Sequence, residues 1–474
     1  MAAVGAAGHL PRPRRAGVRD ATAIAEAVRA REVSAAELAQ EALDRAAADD
    51  LGAVWLITEE RARREADAVD ALVALGDDPG PLAGVPVGWK DLIDTSGVRT
   101  TYGSEIYRDH VPARDADVVS LLAGGGAVCI AKLNTHELAW GTTSDNPWFG
   151  TCRNPHDPSR MPGGSSGGSG AAVASGIVAL APGTDTGGSI RCPSSVCGMV
   201  GLKPTFGRVS LAGIHPLCPS LDHCGPMVRS VRDAALALEV MAGPSPRDPR
   251  TQPMAVPAYR DALGAGVEGR TIGVAERFFF EHTDGDLAAI VRQAVRLLER
   301  AGARLVEVDL GWPPGSPDEA DIGFYLAEEA GAVDEHWPQR REELGRDVQR
   351  EQDRADGMSL RQAGRTLFRR LAYQERMLEM MHEQGIDLIV TPTQPCAPPL
   401  IGTATLPFAG RPEVDVTSVM CGLTGVFNVL GWPAISVPCG SDSLGLPVGL
   451  QIAARPWREE DCLAAAAVVE RELS

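Results

Sequence analysis

PGGSSGGSG at 162–170 and, shortly after it, GTDTGGSIR at 183–191 are the stretches whose reading decides the fold of this chain. Gly163-Gly164-Ser165-Ser166-Gly167 spells G-x-S-x-G, the pattern of a serine nucleophile on a sharp strand-to-helix turn. Such a turn needs a strand ahead of it. The residues before Ser165, PHDPSRMPGG, are rich in proline and hold no β-branched run, so the spelling is a decoy. Ser189 has the better setting. IVALAPGT reads as a strand emptying into TDTGGS, and the two glycines let backbone N–H groups approach a substrate closely. The N–H groups of Thr186, Gly187, Gly188 and Ser189 are expected to converge on an oxyanion, the arrangement that acyl transfer rewards. A glycine turn with a capping serine is the competing structural reading.

A serine hydroxyl needs a base. Nine histidines are available, of which His136 and His223 lie nearest the glycine-rich region in sequence. A second candidate comes from composition: of 45 basic residues, 42 are arginine and only three, Lys90, Lys132 and Lys203, are lysine. Arginine stays protonated, whereas a buried lysine can lose its proton and serve as a base. The alternative for each lysine is a packed structural role.

Outward from this region, alternating elements predict an α/β fold, an α/β/α sandwich on a large mixed sheet covered on both faces. Residues 20–49 and 59–75 read as helices, with Ser34 and Glu37 at capping-box spacing. Residues 81–100 read as strand and loop, and 115–134 as helix, glycine stop and buried strand. The stretch 141–170 is a long irregular segment of the kind that often carries function. GRTIGVAE, ARLVEVDL, IDLIVTPT, WPAISVPCG and PVGLQIAA read as further strands, and 316–384 as charged helices with solvated faces. The division expected is one domain over 1–474. It comprises an N-terminal helical part (1–80), a catalytic core (81–240), a mostly helical substrate-shaping region (241–385) and a C-terminal return of strands and helix (386–474).

A net charge of −18 argues against nucleic acid or an anionic membrane as partner. The opening residues lack the apolar run of a signal peptide, and no segment reaches the ~18 apolar residues of a membrane span. Ten scattered cysteines without C-x-x-C read as free thiols in the cytosol, with no metal site.

The combination of motifs resembles the amidase signature family. It rests on GVPVGWKDLID (84–94), RNPHDPSRMPGGSSGGSGAAVASG (153–176), GTDTGGSIRCPSSVCGMVGLKPTFGRVS (183–210), SLDHCGPMVRSVRDAA (220–235) and FNVLGWPAISVPCG with LPVGLQIA (427–453). The resemblance covers nearly the whole chain and is weakest around 245–380. It implies a Ser–cisSer–Lys triad, with Lys90 as base, Ser165 as the bridging serine after a cis peptide, and Ser189 as nucleophile. It also places an oxyanion hole at Thr186 through Ser189 and loop-shaping roles at Asp185 and Arg191. Lys132 and Lys203 are structural by the same mapping, and Trp140, Gly141 and Thr142 fall beside the scissile carbonyl. The activity implied is cofactor-free cleavage of a small-molecule amide, ester, hydrazide or carbamate, with a homodimer as the candidate assembly.

Three alternatives remain: an acyl- or amidotransferase, including a glutaminase-type subunit; a catalytically idle binding protein; and an esterase using Ser165 and a histidine. The family's glutaminase subunit holds glutamine with an aspartate and an arginine. Seven residues ahead of Asn428, where that aspartate is expected, this chain has Cys421, which counts against glutamine.

Overall fold

The computed structural model describes residues 19–311 and 323–473. The readings made on the opening residues and on 316–322 fall outside these. Eleven strands form one sheet. Their order is Val54–Ile57, Val128–Leu133, Pro86–Lys90, Leu180–Asp185, His223–Val228, Val200–Lys203, Ala434–Ser441, Pro447–Ala454, Leu388–Pro392, Thr271–Val274 and Arg304–Glu307. Pairing is parallel where Pro86–Lys90 and Thr271–Val274 meet their neighbours. It is antiparallel at the other junctions, so the sheet is mixed, as the sequence predicts.

Every residue of Val128–Leu133, Leu180–Asp185, His223–Val228 and Pro447–Ala454 is buried. Side chains alternate across a strand, so full burial means that both faces are covered. One hydrophobic cluster runs from Ala21 to Val469. A smaller one gathers Leu92, Tyr102, Trp140 and Leu217 with Val333, Leu344 and Val348, and so ties the charged helices to the loops of the core.

Local signals act where the sequence places them. Ser34 and Glu37 form a reciprocal capping box at the start of Ala35–Ala47. Leu287, Val291, Val295 and Leu298 make the buried stripe of Gly285–Arg300. Two sheet strands escape the pattern. Val54–Ile57 is a short edge strand between two helical segments, and His223–Val228 contains Gly225 and Pro226. Pro226 stands opposite Pro182 in the antiparallel register, so the missing N–H groups fall at a single step of the ladder.

Candidate active site

Lys90 ends its strand fully buried. Its Nζ lies 2.7 Å from Ser165 Oγ, 2.9 Å from Ser166 Oγ and 2.7 Å from Thr184 Oγ1. Among the described residues three hydroxyls and no carboxylate contact the amine. Burial lowers its pKa to about 7 against the opposing pull of Asp185 and Asp222. A neutral amine donates two hydrogens and accepts one. Ser166 directs its own proton to the Thr184 carbonyl at 3.2 Å, so it accepts from Lys90. Either Ser165 or Thr184 is then left to donate to the nitrogen lone pair. Ser165 follows a cis Gly164–Ser165 peptide. Its carbonyl accepts from the His136 backbone N–H at 3.1 Å and from Thr135 Oγ1 at 3.0 Å.

Ser189 closes the loop that follows strand Leu180–Asp185. Among the described residues, none of the N–H groups of Thr186, Gly187, Gly188 and Ser189 donates a hydrogen bond. Four consecutive donors in a largely buried loop are thus left for a ligand. Thr424 fixes the loop by donating to the Gly187 carbonyl at 2.6 Å. Gly188 has φ +146°, and a Cβ there would stand 2.1 Å from Thr424 Oγ1, so only glycine fits.

Beneath the loop lies a buried network. Asp185 takes two contacts from Arg191, Nε at 3.1 Å and a terminal nitrogen at 2.9 Å, and the Ile190 N–H at 3.1 Å. Burial alone would raise the Asp185 pKa, but the Arg191 guanidinium, with Lys203 and Asn428, holds the carboxyl well below the usual range. Arg191 also reaches the Thr424 carbonyl, Gln451 and Asn428. Asp222 accepts from Thr186 Oγ1 at 2.6 Å and from the Leu217 and Cys218 N–H groups, and its burial raises the pKa to about 6.

The structure brings Lys90 and Ser165 together, and sets Asp185 and Arg191 under the Ser189 loop. Trp140 packs its ring in the smaller cluster. Thr142 abuts the cis peptide, since a Cβ on Gly164 would lie 2.9 Å from the Thr142 carbonyl carbon. A Cβ on Gly141 would strike the His136 ring at 2.4 Å. Two partners of Lys90 go unmarked in the sequence. Ser166 reads there as a loop residue and Thr184 as part of a strand, yet both bond the amine. Their signal is position: Thr184 lies five residues before Ser189 on a strand, so it shares a sheet face with alternate residues near the loop.

His136 bonds Thr143 Oγ1 and lies 3.3 Å from Asp347. His223 Nδ1 faces the Asp185 and Leu221 carbonyls. Neither meets a serine hydroxyl among the described residues, so the histidine-based esterase loses its base. Lys132 bonds the Ile93 carbonyl, Thr95 and Thr100 beside Asp91, and Lys203 bonds the Pro204 and Trp432 carbonyls. Among the described residues no group of three or more His, Cys, Asp or Glu could hold a metal ion. No described helix is long and apolar enough to cross a membrane.

The structure thus holds a buried lysine among the hydroxyls of Ser165, Ser166 and Thr184, and Ser189 on a glycine loop after the strand that carries Thr184. The amidase family model matches residues 37–463, and the chain belongs to that family of enzymes acting on carbon–nitrogen bonds. A glutamyl-tRNA(Gln) amidotransferase subunit from Koribacter versatilis (strain Ellin345) is 37% identical over 478 residues, covering 96% of this chain and 98% of that protein. Two solved structures are similar over nearly their full length. One is a vestigial protein complex that reveals the evolutionary origins of an s-triazine catabolic enzyme, with TM-score 0.89 at 34% identity, covering 96% of this chain and 98% of that one. The other is a bacterial aryl acylamidase of the amidase signature enzymes, with TM-score 0.87 at 28% identity, covering 96% of each.

Proposed function

We propose that this chain cleaves a carbon–nitrogen amide bond through an acyl-enzyme on Ser189. Ser189 Oγ attacks the carbonyl carbon, its proton passes to Ser165 Oγ, and the Ser165 proton passes to the Lys90 amine. The oxyanion is received by the N–H groups of Thr186 through Ser189. Collapse breaks the C–N bond, and the leaving nitrogen takes its proton back along the same path. A second nucleophile, entering with Ser165 and Lys90 as base, releases the acyl group. The observation that carries the reading is Lys90 itself, a fully buried amine held by three hydroxyls with a pKa near neutrality. Peptide mass spectrometry after fluorophosphonate treatment tests it. A label on Ser189 is expected, and a label on Ser165, or none on active enzyme, overturns it.

The curated relatives favour one use of this chemistry, that of an amidotransferase subunit. In that role the chain releases ammonia from glutamine and works with protein partners. One observation favours a second use, hydrolysis of another amide. A Cβ on Gly187 would lie 3.3 Å from Cys421 Sγ, so a thiol lines the wall beside the loop. Burial pushes that thiol up to about 12, and a neutral thiol cannot pair with the ammonium of glutamine as a carboxylate would. Ammonia release from glutamine, measured beside aryl and aliphatic amides, separates the two uses.

A further inference from the structure

At the edge of the core away from Lys90, the described residues bound a cavity of about 120 Å³. It lies where two strands begin. Pro86 opens the strand that ends at Lys90, and Ala179 precedes the strand that carries Thr184. Four residue steps of about 3.3 Å set Pro86 roughly 13 Å from Lys90 along the strand. The cavity wall mixes two chemistries. Ile24, Val33, Leu38 and Val178 are apolar, whereas Arg19, Arg45 and Arg229 bring three guanidiniums against the single carboxylate of Glu41. Leu38, Glu41 and Arg45 reach it from one face of helix Ala35–Ala47.

The arginines differ in what they already hold. Arg229 donates from Nε to Asp20 at 3.3 Å, and from its terminal nitrogens to the Val173, Val178 and Arg19 carbonyls. Most of its donors are therefore used. Arg45 is different. Among the described residues its ion-pair partner is Glu41 at 3.5 Å, a side chain 59% exposed, and its Nε is closed to solvent with no hydrogen-bond partner. A buried donor without a partner is costly, so this one marks a place where an acceptor fits. Burial lowers the Arg229 pKa, and the Arg45 charge adds to that lowering against the pull of Asp20 and Asp233. The two guanidiniums are thus close enough to repel, and an anion beside them relieves both the repulsion and the orphaned Nε.

We propose that this cavity binds a small organic carboxylate, with its charged head on Arg45 and its apolar body against Ile24, Val33, Leu38 and Val178. An arginine fork matches a planar carboxylate, two N–H groups meeting two oxygens. The apolar part of the wall selects against inorganic phosphate, whose remaining oxygens would face side chains that cannot bond them. The volume suits one small ring, since a dry cavity of about 150 Å³ in another protein accepts benzene. The ligand sits at the opposite ends of two strands from Lys90 and Thr184, so it does not occupy the place of the substrate.

Isothermal titration of the full chain with benzoate tests the proposal. One site with a dissociation constant of about 1 mM or tighter is expected, and no binding of benzyl alcohol, which keeps the ring and lacks the charge. Arg45→Met should weaken benzoate at least about tenfold with an unchanged circular dichroism spectrum. Val33→Phe, which narrows the cavity and keeps every charge, should weaken it to a similar degree. Benzoate held equally by the wild type and either variant places the ligand elsewhere and overturns the proposal. So does benzyl alcohol bound as tightly as benzoate, inorganic phosphate bound in preference to it, or no benzoate binding up to about 10 mM.

Discussion

Lys90 and Lys132 lie in neighbouring parallel strands, one register step apart, with Lys132 level with Trp89. Paired residues share a face, so the two lysines project to opposite sides of the sheet. Both are fully buried, and burial lowers both pKa values. Their surroundings separate them. Lys132 faces the Asp91 carboxylate at 3.6 Å and a backbone carbonyl, groups that favour the ammonium. Among the described residues Lys90 meets only hydroxyls, which can give or take a hydrogen. Depth of burial does not tell these two lysines apart; the groups in contact with each amine do.

The sharpest way to break this contrast is Lys90→Arg. It should lower kcat/KM by about 10³–10⁴ with the fold intact, because a guanidinium cannot accept the proton. Steady-state kinetics beside a thermal melt reads both. Lys132→Met should do the reverse. It strands Asp91 in the core and should cost about 3–5 kcal/mol in urea unfolding, with turnover changed only slightly. Thr424→Val removes the bond that fixes the Gly187 carbonyl and should lower kcat/KM about fivefold to tenfold. The smallest effect concerns pH. Lys90 acts as base only when neutral, so kcat/KM should fall as pH drops below about 7. Asp222 favours the charged amine, and Asp222→Asn should move that acid limb down by about half a unit. A limb that moves up, or does not move, would detach it from Lys90.

Much of this site is legible in the sequence because its parts are chemically scarce. Three lysines in 474 residues make Lys90 conspicuous, and glycine pairs around serines mark the two loops. Helices with periodic stripes and caps, such as Ala35–Ala47 and Gly285–Arg300, are equally plain. What stays hidden depends on neighbours distant in sequence. Thr424 approaches Gly187 across 237 positions, and Asn428 bonds Asp185 across 243. Ser166 looks like its neighbour Ser169, yet only Ser166 reaches the amine. Strand His223–Val228 is obscured by Gly225 and Pro226, residues that break an isolated strand but fit opposite Pro182.

The lysine economy has a practical outcome at the surface. All three lysine side chains are buried, so the exterior presents arginine guanidiniums and no ε-amine. Reagents that acylate or alkylate primary amines meet no exposed side chain on the native fold. Coupling to an amine-reactive support should then leave Lys90, Lys132 and Lys203 unmodified while the fold is intact. Any ε-amine adduct found on native protein becomes a direct record that the core around a lysine has opened.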